Sequence, residues 1–218
     1  MKKYRLIIFD LDGTLADTSQ GILECHKFTN TAMGRPEPTD KELEGIIGGP
    51  LLETYRTRFG FPDEEARRAV EIYRRRYAEK GIYGAKAYNG MRDTLTELKN
   101  RGLRLAVATL KADTLAKQLL RDLDMADSFD VIHGVDPSDT VTKSDLIEFC
   151  INDTGIRKDE AVLVGDSIHD YKGAEKSGVD FIAALYGFDF KTANDLIGIN
   201  HAAAINRPDE LLEICGMP

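Results

Sequence analysis

The sequence predicts an α/β fold: a parallel sheet core with helices on both faces, carrying a small all-helical domain inserted after the first strand. Three observations lead there. Short, continuously apolar runs alternate with amphipathic segments, the pattern of strands buried on both faces and separated by helices. From about Ser19 to Ala85 that alternation stops and helical periodicity takes over. The first apolar run, Leu6-Ile7-Ile8, leads directly into Phe9-Asp10-Leu11-Asp12-Gly13-Thr14-Leu15, which places two carboxylates and then a glycine turn at a strand end.

In chain order, the predicted strands are Arg5–Phe9, Leu103–Thr109, Phe129–His133, Ala161–Val164, Phe181–Leu185 and Ala202–Ile205. Met91–Arg101, Thr114–Leu123, Ser144–Thr154 and Asp170–Lys176 read as the helices between them, with Gly102 and Gly178 where C-caps fall. Pro208–Ile214 reads as a last helix with proline in its first turn. The insert carries helical patterns over Gln20–Met33, Lys41–Ile47, Leu51–Phe59 and Asp63–Glu79, interrupted by Gly48-Gly49-Pro50. The expected division is therefore residues 1–18 and 86–218 as one domain and 19–85 as the helical one. Arg74-Arg75-Arg76 is balanced by Glu65, Glu71 and Glu79 at helical spacings and reads as a solvated face.

Composition narrows the class. The 218 residues carry a net charge of -8, which argues against a nucleic-acid surface. No apolar run approaches the roughly 20 residues of a membrane span. Lys2 and Lys3 precede an apolar run far shorter than the core of about 7–15 residues that a signal peptide needs. Cys25, Cys150 and Cys215 are odd in number and lack metal-ligand spacing, so free thiols are expected. A cytoplasmic protein is the expectation.

Four polar segments follow strands or precede helices, the place where open α/β sheets bind ligands. Asp10 and Asp12, two apart on an extended chain, point to the same side, and two such carboxylates call for a cation. That predicts a Mg²⁺ site and a carboxylate nucleophile for phosphoryl transfer. Ala108-Thr109-Leu110-Lys111 offers a hydroxyl and backbone N–H groups suited to phosphate oxygens, although Thr109 taken alone reads rather as a helix cap. Lys143 stands before a helix, where a cation is locally disfavoured and a bound anion would offset the cost. Gly165-Asp166-Ser167-Ile168-His169-Asp170 brings two carboxylates one helical turn apart, and Mg²⁺ prefers hard oxygen ligands of this kind.

These motifs resemble the haloacid dehalogenase superfamily of phosphohydrolases, specifically its phosphoglycolate-phosphatase-like branch. The resemblance rests on Asp10-Leu11-Asp12-Gly13-Thr14-Leu15 and on Gly165-Asp166-Ser167-Ile168-His169-Asp170 with Gly173-Ala174 and Gly178, and it covers essentially the whole chain. It implies a Rossmann-like core with a mobile helical cap. It implies Asp10 as nucleophile, forming an aspartyl-phosphate, and Asp12 as general acid/base whose backbone carbonyl also binds Mg²⁺. It implies Thr109, Leu110 and Lys143 as phosphate clamps, Lys143 also restraining Asp10. Asp166 would be the side-chain Mg²⁺ ligand, with Asp170 in support. Relatives often carry asparagine or serine where Leu110 stands; a backbone N–H contact survives that change. The superfamily's dehalogenases lack the second aspartate, which is present here as Asp12. A phosphosugar mutase is a minor alternative, since His26 falls about one turn beyond the mutase position. A non-catalytic binding protein on this fold is a further one. The expected substrate is a small phosphorylated metabolite, with phosphoglycolate, a nucleoside monophosphate and a sugar phosphate all open. Arg56, Arg58 and Lys27 are candidate anchors for a second anionic group, and Gly48-Gly49-Pro50 resembles the family's cap loop.

Overall fold

The computed structural model describes residues 4–136 and 140–215; Lys2 and Lys3 lie outside them. By contacts the chain divides into two compact units, Met1–Asp17 with Ala87–Pro218, and Thr18–Lys86.

The first unit is built on a six-stranded sheet: β1 (Leu6–Phe9), β4 (Arg104–Ala112), β5 (Val131–Val135), β6 (Ala161–Gly165), β7 (Asp180–Ala184) and β8 (Ala203–Ile205), in the order β5-β4-β1-β6-β7-β8. Every pairing is parallel. The strands are apolar on both faces because both faces are covered. On one face Leu6 and Ile8 join Leu146, Ile147 and Cys150 of α7 (Lys143–Thr154) and Ala174 of α8 (Ile168–Ser177). Helices α5 (Met91–Asn100) and α6 (Asp113–Asp122) also pack on β4, burying Leu95, Leu98, Leu119 and Leu120. The chain runs outward from β1 through β4 to β5, then crosses back to β6 on β1's other side. That reversal makes the carboxyl ends of β4, β1 and β6 a switch point, where ligand crevices open in such sheets. A two-stranded ribbon pairs β2 (Ala16–Asp17) with β3 (Lys86–Ala87).

The second unit is helical: α1 (Ser19–Ala32), α2 (Asp40–Leu43), α3 (Leu51–Thr57) and α4 (Asp63–Glu79). Its interior is aromatic. Tyr55 and Tyr77 are fully buried, and His26 of α1 lies among Tyr55, Phe59 and Tyr73 at ring-centroid distances of 5.5, 5.7 and 4.7 Å.

Several elements differ from the sequence expectation, among them the following. The pattern over Lys41–Ile47 gives helix only at Asp40–Leu43, because Glu44 turns extended and Gly45 follows at φ +61°. The second main strand runs on to Ala112, carried by a register slip against β5 between Ala108 and Ala112. The third begins at Val131 instead of Phe129, whose ring is used to pack edge-on against Phe9 at 6.1 Å. Among the described residues no helix is long and apolar enough to cross a membrane, and all three cysteines are free and buried.

Candidate active site

The site is assembled at the carboxyl ends of β1, β4 and β6. Asp10 leaves β1 with its backbone N–H still donating to the Val164 carbonyl of β6 at 2.9 Å. Gly13 then turns at φ +90°; a Cβ there would fall 2.3 Å from an Asp166 carboxylate oxygen, so only glycine lets the loop close over that side chain. The carboxyl groups of Asp10, Asp166 and Asp170 are buried, and one oxygen from each lies within 4.8 Å of the others.

Capping chemistry fixes two of the participants. Thr142 and Asp145 form a reciprocal capping box at the start of α7, which sets Lys143 as the first helical residue. Ser167 and Asp170 do the same for α8, and the Asp170 Oδ2 atom accepts from the Ser167 N–H at 3.0 Å and its hydroxyl at 2.6 Å. The Lys143 ammonium spans the two motifs, donating to Asp10 Oδ1 at 2.5 Å and lying 2.7 Å from Asp170 Oδ1. Gly173 leaves room for its stem, since a Cβ there would sit 2.5 Å from Lys143 Cγ. The helix-start lysine is thus offset by two carboxylates of the chain itself.

Asp166 is held from both sides. Thr14 Oγ1 donates to its Oδ1 at 3.0 Å and the Phe188 N–H to its Oδ2 at 2.6 Å. Asp12 turns toward a different cation: Lys111 Nζ lies 2.9 Å from its Oδ2, while the buried Asp12 Oδ1 has no hydrogen-bond partner among the described residues. Thr109 is buried, and its hydroxyl accepts from the Lys111 N–H at 3.2 Å. Leu110 lies in the slipped stretch of β4 with its side chain against the core.

Burial, opposed by Lys143 and helped by Asp170 and Asp12, leaves the Asp10 carboxyl raised to about 7. Burial, with Asp170 and Asp10, likewise holds Asp166 well above the usual carboxylate range against the opposing bonds from Phe188 and Thr14. At Lys143, burial pulls down, but Asp10 and Asp170 outweigh it and raise the ammonium. Four carboxylates therefore face two ammonium groups, a donor set of hard oxygens in negative excess that fits Mg²⁺.

The structure gathers Asp10, Asp166 and Asp170 into one cluster bridged in part by Lys143, and pairs Asp12 with Lys111. Lys111 was not legible as a partner of Asp12, because 99 residues separate them and only strand order makes them neighbours; its closeness to Thr109 was the one available signal. The three candidate anchors pair within the helical unit: Lys27 with Asp40 at 3.1 Å, Arg56 with Asp63 at 2.9 Å, and Arg58 with the Glu44 carbonyl at 2.6 Å. His26 is 2% exposed and packed in the aromatic interior.

Several known proteins are similar to this chain. The 5'-nucleotidase of Pseudomonas aeruginosa is 35% identical over 85% of this chain and 85% of its own length. The tyrosine-protein kinase PtkA of Mycobacterium tuberculosis is 33% identical over 98% of this chain and 73% of its own. The phosphoglycolate phosphatase of Aquifex aeolicus is 31% identical over 84% and 86%. The crystal structure of a predicted phosphatase from Clostridium acetobutylicum superposes with a TM-score of 0.90 at 31% identity, covering 97% of this chain and 98% of that one. The family model described as haloacid dehalogenase-like hydrolase matches residues 7–184, and the chain belongs to that family.

Proposed function

We propose that this phosphoric monoester hydrolase moves the phosphoryl group of a small metabolite ester first to Asp10 and then to water, with Mg²⁺ as cofactor. The observation that carries the reading is the buried Asp10 carboxylate, gripped by Lys143 at 2.5 Å within a cluster of further carboxylates. An Asp10 oxygen attacks phosphorus while the bond to the leaving oxygen breaks. Asp12 donates a proton to that oxygen, then takes one from the water that attacks the aspartyl-phosphate. Lys143 keeps Asp10 aimed. Thr109, the Leu110 N–H and Lys143 hold the transferring oxygens in an arrangement whose catalysis is mainly positioning and charge neutralisation.

The side chains of Asp10 and Asp166 and the backbone carbonyl of Asp12 would hold the cation. Asp170 supports them by fixing Lys143 and the Ser167 turn. When bound, Mg²⁺ supplies positive charge against the phosphate and the carboxylates.

We assign residues 1–18 and 86–218 as the catalytic core and the helical insert, 19–85, as the substrate-selecting cap implied by the family. Phosphoglycolate-like esters and nucleotides are the first substrates to try, in line with relatives named phosphoglycolate phosphatase and 5'-nucleotidase. The test is phosphate release from a panel of small phosphoesters with Mg²⁺ or EDTA, for wild type and Asp10→Asn. Turnover that needs Mg²⁺ and falls by about three orders of magnitude or more in the variant is expected. Folded wild type inert toward every ester, or Asp10→Asn as active as wild type, overturns the reading.

A further inference from the structure

The mechanism above uses one ammonium group, Lys143, and leaves the second without a task. Lys111 lies where β4 slips register against β5 between Ala108 and Ala112, the kind of bulge that re-aims a side chain beside a site. The chain around it is anchored, since the Lys111 N–H donates to Thr109 Oγ1 at 3.2 Å and Asp113 Oδ1 accepts from the Gly134 N–H at 3.2 Å. Its ammonium is 2.9 Å from Asp12 Oδ2, and the two side chains are only 7% and 10% exposed.

The two lysines address different parts of the reaction. Lys143 stands on Asp10 and Asp170, where the phosphoryl group is received. Lys111 stands on Asp12, the group that meets the leaving oxygen. Its charge is therefore one hydrogen bond beyond the leaving oxygen, beside whatever that oxygen is attached to. An ammonium on a four-carbon stem is a compact charge with three donors, able to hold a second anion without a demanding geometry.

We propose that Lys111 selects the leaving group: its ammonium, set on Asp12, receives an anionic substituent, a carboxylate or a second phosphate, carried close to the ester oxygen. This rests on the phosphatase reading and narrows it. Phosphoglycolate and pyrophosphate have such leaving groups, whereas a nucleoside monophosphate releases an uncharged nucleoside.

The experiment is kcat and KM for wild type, Lys111→Met and Lys111→Arg on 2-phosphoglycolate, pyrophosphate and the uncharged near-isostere 2-hydroxyethyl phosphate, at saturating Mg²⁺. Wild type is expected to prefer at least one charged ester by about tenfold or more in kcat/KM, and which one identifies the anion as carboxylate or phosphate. Lys111→Met is expected to erase that preference chiefly through KM, and Lys111→Arg to restore part of it. If Lys111→Met slows all three esters by the same factor through kcat, Lys111 acts only through Asp12 and the proposal fails. Wild type indifferent to leaving-group charge also overturns it while leaving the phosphatase reading intact; wild type inert on every ester overturns both. Should Lys111→Met not fold, product inhibition of wild type decides: glycolate must inhibit at least about tenfold more strongly than its uncharged counterpart ethylene glycol, and equal inhibition contradicts the proposal.

Discussion

Lys143 is a buried cation shared by two carboxylates. Its side chain is 6% exposed, and its ammonium bridges two carboxylates that would otherwise repel each other in a dry setting. Removing one partner of a buried ion pair is costly, since the remaining charges lose both water and counter-ion. Lys143→Met should therefore lower stability in Mg²⁺-free buffer by about 3–5 kcal/mol, read from urea unfolding midpoints. A loss below about 1 kcal/mol would show that the cluster is not held together by this lysine. Asp10, Asp12, Asp166 and Lys143 were all legible in sequence, because each sits in a local pattern: a strand end, a glycine turn or a helix start. The reason given for Lys143 was incomplete. A helix-start cation pointed to a bound anion, whereas Asp10 and Asp170 already provide the negative charge, and only the folded sheet brings them there.

At the scale of elements, α1 shows how a polar residue is fitted to an apolar stripe. Ile22, Cys25, His26 and Thr29 form the buried face of the helix. Burial among aromatic rings lowers the His26 pKa from 6.5 to about 3, so the ring is neutral in the folded chain. A group depressed below its unfolded value contributes full stability above that value, and the contribution is lost as pH falls from about 6.5 toward 3. Between pH 6.5 and pH 5 the loss amounts to about 2 kcal/mol. His26→Phe should remove that part of the acid-side slope, seen as denaturant midpoints of the variant and wild type that converge or cross as pH falls. Parallel midpoints across this range would mean that His26 protonates freely when folded. The main strands were readable from apolar runs, but their ends were not. The β4 extension depends on a register slip with β5, and α2 stops where Glu44 and Gly45 leave helical geometry, neither of which a hydrophobic pattern records.

Over the whole molecule, the charge cluster and the aromatic interior belong to different compact units, Met1–Asp17 with Ala87–Pro218 and Thr18–Lys86 respectively. A cation that binds only the folded cluster stabilises the sheet unit by mass action, by about 2.7 kcal/mol at a concentration one hundred times its dissociation constant. Calorimetry should show Mg²⁺ raising the melting of the sheet unit, with Asp166→Asn losing most of the shift and Ca²⁺-free, Mg²⁺-free buffer giving the baseline. An equal Mg²⁺ shift in wild type and Asp166→Asn would place the cation elsewhere. The parallel sheet was legible because an all-apolar strand has few other homes. The meeting of Asp12 with Lys111 was not, because it depends on β1 and β4 becoming neighbours across the helical insert. The central claim is the covalent intermediate on Asp10. It is tested most directly by mixing the Asp12→Asn variant with Mg²⁺ and the best ester, quenching in acid, and locating any added phosphoryl group by peptide mass spectrometry. One added HPO₃ is expected on the peptide containing Asp10, absent when Asp10 is also replaced by asparagine. Phosphate release by an active enzyme whose Asp10 peptide never carries that mass, in wild type or variant, would contradict it.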